Sequence, residues 1–414
     1  MMDMKKMLAC MLMVAMLFSM TGCVTRMIGE DLMVKISAKP VKVQPDLDAG
    51  ATAAANFGVA LFKTSLENGT NTLISPLSVL YALAMTANGA EGETLAQMEQ
   101  VLGMESDELN GYMLAYLDSL SEKELHLANS IWFKDDPAFV IEDSFLQTNA
   151  DFYGADAYKV AFDEATRNTI NNWVKENTDG MIPEIIDEIP DGAIMYLVNA
   201  LAFDAQWEKE YEKTQVWSGT FTTEDGIEQD VDMMHSEEHT YLEDEQARGF
   251  IKYYKGGRYA FVALLPKEGV SVADYVDSLT GEHLMELLSN PISTNVVAAM
   301  PKFEVEYDVE MGEILKEMGM TDAFDGSVAD FSRLGTSENG NIRISRVLHK
   351  TFISVAEQGT KAGAATAVEM VTEGALLVDK FQEVTLDRPF VYLLMDCETN
   401  LPFFIGTMMT MEGN

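Results

Sequence analysis

An α+β domain is the fold class this 414-residue chain predicts. Helical spacing is concentrated in the first half, strand-like runs dominate the second, and neither a βαβ alternation nor a fixed-period repeat connects them. Residues 51–64 and 77–90 carry helical spacing. The second helix begins after Ser75-Pro76, a capping hydroxyl followed by a proline preset for a first turn. Residues 91–102 predict a third helix, with Thr94 near its start. Residues 128–133 predict a short strand. Residues 166–176 predict a helix stopped at Asn177-Thr178-Asp179-Gly180, with Pro183 just beyond. The apolar run 193–203 suits a buried strand or a buried helix, and turn signals on both sides favour the strand. Residues 259–265 and 296–302 predict strands, and 310–318 a helix. Residues 390–395 and 403–409 form a closing hairpin.

Composition bounds the function. At 47% hydrophobic and 23% charged the chain is globular and can bury a sizeable core. Its 67 acidic against 28 basic residues give a net charge of −39, which excludes nucleic acid and anionic membrane surfaces as partners for the body. The acidity is spread along the chain, as on a solvated surface.

The first 23 residues predict export. Lys5 and Lys6 precede an apolar run from Met7 to Met20, and Thr21-Gly22-Cys23 follows. The run is too short to be taken as a spanning helix. Met-Thr-Gly-Cys resembles a bacterial lipobox, which implies Cys23 as a lipidated first residue of the mature chain and the only membrane attachment. Residues 24–50, with Lys-Pro and Gln-Pro breaks and no sustained period, predict a flexible tether to a body at 51–414. With Cys10 inside the signal, only Cys23 and Cys397 remain, so stability must come from packing.

One segment has no ordinary place in such a domain. After a β-rich stretch at 350–356 and Gly359, the even positions are Thr360, Ala362, Ala364, Thr366, Val368, Met370 and Thr372; Lys361, Glu369 and Glu373 fall on the odd ones. A proline-free, period-2 pattern of small residues could enter a sheet; a flexible Ala/Gly linker is the competing reading of this window alone.

Several segments together resemble a serpin. Asn71-Thr-Leu-Ile-Ser75-Pro76-Leu-Ser78 is similar to the family's shutter segment, and Asn172-Trp173-Val-Lys-Glu-Asn177-Thr178-Asp-Gly180 to its sixth helix and the motif after it. Leu197-Val-Asn199-Ala-Leu-Ala-Phe203 with Trp207 resembles the strand leading to the breach tryptophan. Pro301-Lys302-Phe303, Leu348-His349-Lys350, Asp387-Arg388-Pro389-Phe390 and Pro402-Phe403-Phe404-Ile405-Gly406 occur in family order.

The resemblance implies helices packed on a large central mixed sheet, two smaller sheets, and an exposed reactive-centre loop at about 357–387. It also implies a one-shot inhibitor rather than an enzyme, without cofactor or metal. The partner is a target serine protease, trapped covalently when the cut loop inserts into the sheet, and the inhibitor is expected to be a monomer. Serpin loop insertion is a known instance of strand addition. About fifteen residues at about 3.3 Å each would carry the acylated end some 50 Å. The hinge comprises Glu357, Gly359, Thr360, Ala362, Gly363, Ala364, Ala365 and Thr366, small enough to insert quickly, with Gly359 as pivot. Lys361 lies on the outward face by alternation.

By family spacing, counting from Glu357 puts the scissile bond at Glu373–Gly374, while counting back from Arg388 lands near Val378; Thr372, Leu376, Leu377 and Val378 are the rivals. The surrounding Val, Thr, Ala and Leu suit elastase-like or subtilisin-like enzymes. A serpin that is merely cut, without trapping, is the alternative. The resemblance places Ser75, Ser78, Asn199 and His349 in a buried polar network rather than a nucleophilic pair, and Trp207 at the loop's entry point. His235-Ser-Glu-Glu238-His239 fits a zinc-binding spacing, but by family position is expected to be a surface turn between strands.

Overall fold

The computed structural model describes residues 29–120, 124–190, 192–360 and 381–412. The chain starts with β1 (Glu30–Asp31), α1 (Leu47–Ser65), β2 (Thr72–Ile74), α2 (Pro76–Ala87), α3 (Gly92–Leu102) and α4 (Ser106–Ser119). Next come β3 (Leu125–Lys134), β4 (Phe139–Ile141), α5 (Asp143–Tyr153), β5 (Asp156–Val160) and α6 (Glu164–Asn177). Strands then take over: β6 (Met195–Phe203), β7 (Ala205–Gln206), β8 (Val216–Thr222), β9 (Glu228–Glu243), β10 (Ala247–Tyr253) and β11 (Tyr259–Pro266). Helices α7 (Val272–Ser278) and α8 (Gly281–Ser289) separate these from β12 (Ile292–Pro301) and β13 (Phe303–Glu310), and α9 (Gly312–Glu317) follows. The last strands are β14 (Gly335–Ser337), β15 (Arg346–Ala356), β16 (Gly359–Thr360), β17 (Phe381–Thr385), β18 (Phe390–Asp396) and β19 (Leu401–Met408).

The central sheet has eight strands, in the order β1-β5-β3-β6-β15-β16-β7 with β13 on β15. A nine-stranded sheet runs β17-β12-β9-β10-β11-β18-β19-β2 with β8 on β9, and β14 pairs with β4. The smaller sheets the resemblance implies are joined because β9 is 16 residues long. Its first part pairs with β8 and its last with β10, so one strand serves both.

Local chemistry explains the key helices. Asp46 accepts the Ala49 N–H at 3.0 Å, so α1 starts at Leu47 rather than 51. In α2 all twelve residues are buried, which fits a helix apolar on every side. It lies under the central sheet, where its first turn reaches β6 and β15. On the opposite face α6 packs Ile170, Trp173 and Val174 over Trp132, Val198, Ala200 and Leu348.

The tether expected at 24–50 is corrected over its described part. Glu30 and Asp31 pair with Lys159 and Tyr158 at the sheet edge. The Lys39 N–H donates to Asp151 Oδ1 at 2.6 Å, and Gln147 Nε2 donates to the Ser37 carbonyl at 3.0 Å. Leu32, Met33 and Ile36 pack against the core. The unpaired backbone of β5 attracts a partner strand, which composition alone does not reveal.

Candidate functional site

The seam between β6 and β15 is where the predicted residues converge. These strands are parallel from Tyr196↔Arg346 to Leu201↔Thr351. Beyond that row β16 lies between their continuations, opposite both β15 (Val355↔Thr360, Ala356↔Gly359) and β7 (Gly359↔Gln206, Thr360↔Ala205). Each β15 residue is 150 positions beyond its β6 partner, as for His349 and Asn199. The same offset holds between the β15 and β7 residues that flank β16. The two strands are therefore in one register above and below the point where they part.

The hinge is held in this wedge by specific bonds. Trp207 donates from its ring Nε1 to the Ala356 carbonyl at 2.8 Å and from its backbone to the Gln358 carbonyl at 2.9 Å. Its ring stacks on Tyr254 at 4.4 Å. Tyr211 N–H donates to the Glu357 carbonyl, and Lys302 Nζ donates to Glu357 Oε1 at 3.0 Å. Burial works to raise the Glu357 carboxyl, but its backbone hydrogen bond and Lys302 bring it below the ordinary range.

Thr360 is buried and hydrogen-bonded to the Tyr254 hydroxyl. At Gly359 the φ is not positive, and a Cβ there would lie 2.1 Å from the Ala205 carbonyl oxygen, so close backbone approach requires glycine in this conformation.

Below the wedge Ser75, Ser78, Asn199 and His349 form one buried network. The Ser75 N–H donates to His349 Nε2 at 3.1 Å, which leaves Nδ1 protonated and donating to Asn199 Oδ1 at 2.7 Å. Ser78 Oγ donates to the same Asn199 oxygen at 3.1 Å. Burial lowers the His349 pKa to about 3, so the ring is neutral at physiological pH. Its bonds go to a backbone amide and a side-chain amide, not to a serine hydroxyl, and so activate no nucleophile.

Asn129 was not singled out from the sequence. It stands directly across β3 from Asn199, extending the polar row to a third strand. Both its amide atoms and Asn199 Nδ2 are buried without a hydrogen-bond partner. An asparagine inside the apolar strand 128–133 was the available signal. Tyr211, Tyr254 and Thr351, whose hydroxyl donates to the Leu73 carbonyl, gave none.

Ala362, Gly363, Ala364, Ala365 and Thr366 of the hinge, the bond Glu373–Gly374, its rivals Thr372, Leu376, Leu377 and Val378, and Cys23 lie outside the described residues.

The turn expected at 233–242 is instead part of β9, because β12 pairs along it. His235 stacks on Trp217, and His239 Nδ1 bonds Asn295 Oδ1. On a strand, two histidines four residues apart are about 13 Å distant, too far to share an ion. Among the described residues no group of three or more His, Cys, Asp or Glu side chains could hold a metal ion.

The profile of the family "Serpin (serine protease inhibitor)" matches residues 52–411. The chain belongs to the serpin family. It is 32% identical over 370 residues to an uncharacterized serpin-like protein of Thermococcus kodakarensis, covering 86% of this chain and 84% of that one. Leukocyte elastase inhibitor A of Rattus norvegicus is 30% identical over 377 residues, covering 86% and 98%. Among solved structures, the thermophilic serpin tengpin in its native state has 48% identity and a TM-score of 0.88 over 92% of this chain and all of that one. Tengpin in its latent state has 47% identity and a TM-score of 0.78 over 90% and 100%. At nearly equal identity, the higher score says the described conformation of this serpin is closer to the native arrangement.

Proposed function

We propose that this serpin is an irreversible suicide-substrate inhibitor of elastase-like or subtilisin-like serine endopeptidases, cut at Glu373–Gly374 and inserting its loop between β6 and β15. The observation that carries this reading is the unbroken register across the wedge. Opening the seam lets a strand zip in from Gly359 without slipping either neighbour. On that register Ala364 enters between Thr351 and Leu201, and Thr366 between His349 and Asn199. Glu369 would then stand beside Arg346.

Opposite residues in a ladder share a face, so the even positions follow Thr360 toward the core. There Thr366 replaces the His349–Asn199 bond: its hydroxyl can accept from Nδ1 and donate to Oδ1. Breaking one buried bond and supplying a matched one keeps the transition low in cost. The odd positions are not simply outward. Ala365 and Ala367 would pass beneath α6, beside Ala200 and Leu348, where only small side chains fit. Lys361 enters above that cover, beside Ser354.

Two new backbone ladders and added apolar burial drive the motion. The protease, still esterified to the loop through its active-site serine, is carried with it. The chain acts as a consumed substrate, not as a catalyst, and needs no cofactor.

Incubation with elastase- and subtilisin-type enzymes followed by denaturing electrophoresis tests this. A band at the summed mass of serpin and protease is expected; cleavage without that band for every enzyme tried would leave a non-inhibitory serpin.

The reading also includes bacterial export with lipid attachment at Cys23, and monomeric action at the cell envelope or outside the cell. Metabolic labelling with a fatty acid, lost in Cys23→Ala, checks the attachment.

A further inference from the structure

Lys252 is the one lysine or arginine that is buried among the described residues. It sits on β10 two residues from Phe250 and from Tyr254, and lies opposite Phe261 on β11. All three of those neighbours are buried, so this is a position that apolar burial alone would fill with an apolar side chain. A charge here costs desolvation. Burial holds the Lys252 ammonium below its usual range, although Glu238 on β9 works in the opposite direction.

Its contacts show what the charge reaches. Lys252 Nζ donates to Glu238 Oε1 at 2.8 Å, and lies 4.4 Å from the centre of the Tyr211 ring and 5.4 Å from that of Trp207. Ser236 Oγ gives its one proton to the same Glu238 oxygen at 2.7 Å, so the Tyr211 hydroxyl is the donor in its 3.3 Å contact with Ser236 Oγ. One ion pair thus holds Tyr211 by its ring face and, through Ser236, by its hydroxyl. Tyr211 and Trp207 are also the two residues whose N–H groups bond three consecutive hinge carbonyls, those of Ala356, Glu357 and Gln358.

We propose that Lys252 is a positioning residue for the hinge: anchored by Glu238, it fixes the ring planes of Tyr211 and Trp207, and through their N–H groups sets how readily residues 356–358 leave the wedge. The proposal deepens the inhibitory reading above, because loop entry begins where this hold ends. Two observations favour positioning over plain stabilisation. A buried ion pair adds little net stability over an apolar residue of the same size, so packing alone does not account for the charge. And the two rings that the ammonium reaches both belong to residues that grip the hinge.

Hydrogen exchange on the uncut, full-length chain tests it with Lys252→Met, which keeps the side-chain length and removes the charge. The Trp207 and Tyr211 amides should exchange about tenfold faster in the variant, while amides of β10 and β11 stay within twofold of the parent. The thermal midpoint should equal or exceed the parent's. Trp207 emission, isolated as the difference from Trp207→Phe in each background, should shift when the cation is removed. Glu238→Gln should speed exchange at the same two amides, and the double variant should match Lys252→Met alone, because the carboxylate acts only through the ammonium. Exchange at Trp207 and Tyr211 within twofold of the parent in Lys252→Met would overturn the role. So would effects of the two substitutions that simply add, or a uniform rise across β10 and β11 with a lowered midpoint, which would make Lys252 an ordinary core residue. The readout does not depend on trapping. A parent chain that forms no covalent complex with any protease would remove the inhibitory reading, and hinge exchange would still decide the role of Lys252.

Discussion

His349 Nδ1 donates to Asn199 Oδ1 across 2.7 Å, a side-chain bond that spans the seam between β6 and β15. Ser75 N–H holds the other ring nitrogen, so the proton location is set by the backbone of α2's cap. This couples the helix under the sheet to the two strands above it.

The ring's depressed pKa gives a pH dependence with a definite sign. Unfolded His349 takes a proton below about 6.5, while the folded ring stays neutral down to about 3. Stability is fully present above pH 6.5 and is lost as pH falls between those values, by about 1.4 kcal/mol per unit for this one proton. Thermal unfolding from pH 7.5 to 4.5 should show this slope, and His349→Gln should remove that share of it.

Glu357→Gln deletes the carboxylate that Lys302 holds beside the hinge. The pair is about one-third exposed, so the loss should be modest, below about 1 kcal/mol. Because the Glu357 carboxyl is depressed, its contribution is present above the unfolded carboxylate pKa and disappears as pH falls through the folded value. Unfolding midpoints of parent and variant should converge in acid.

Gly359→Val places a side chain against the Ala205 carbonyl. Because the clash is with backbone, the hinge should leave the wedge, costing its two ladder contacts at about 1 kcal/mol each. Hydrogen exchange at Trp207 and Tyr211, whose amides bond the hinge carbonyls, should rise about tenfold in the variant.

Thr360→Arg buries an unpaired charge beside Tyr254 and should convert the inhibitor into a substrate, with cleavage retained and covalent complex reduced at least tenfold. Ala367→Arg should slow trapping similarly, because on the proposed inserted register that position would pass under α6. Complex yield per cleavage event, read by densitometry, distinguishes both from parent.

Much of the fold was legible because its signals are local. Ser75-Pro76 marked a helix start, and the apolar run at 193–203 marked a strand buried on both faces. Helices α4 and α5 were missed: Asn110, Gly111 and Tyr112 interrupt the apolar spacing of one, and the other is short and polar, held by packing. Residues 233–242 were expected by family position to be a turn, and become strand because β12 and β10 pair along them. In the site, Ser75, Asn199, His349 and Trp207 were legible through family resemblance. Asn129, Tyr254 and Tyr211 were not, since their roles depend on which strands become neighbours. The α6 helix itself was legible at 166–176, but not that it packs over Val198, Ala200 and Leu348 of the two central strands.

Strand insertion itself is tested most directly by cleaving the loop and heating the protein. If residues from Gly359 onward enter between β6 and β15, the cleaved form should unfold roughly 10 °C or more above the intact one. An unchanged or lower midpoint after complete cleavage at residues 372–378 would contradict insertion.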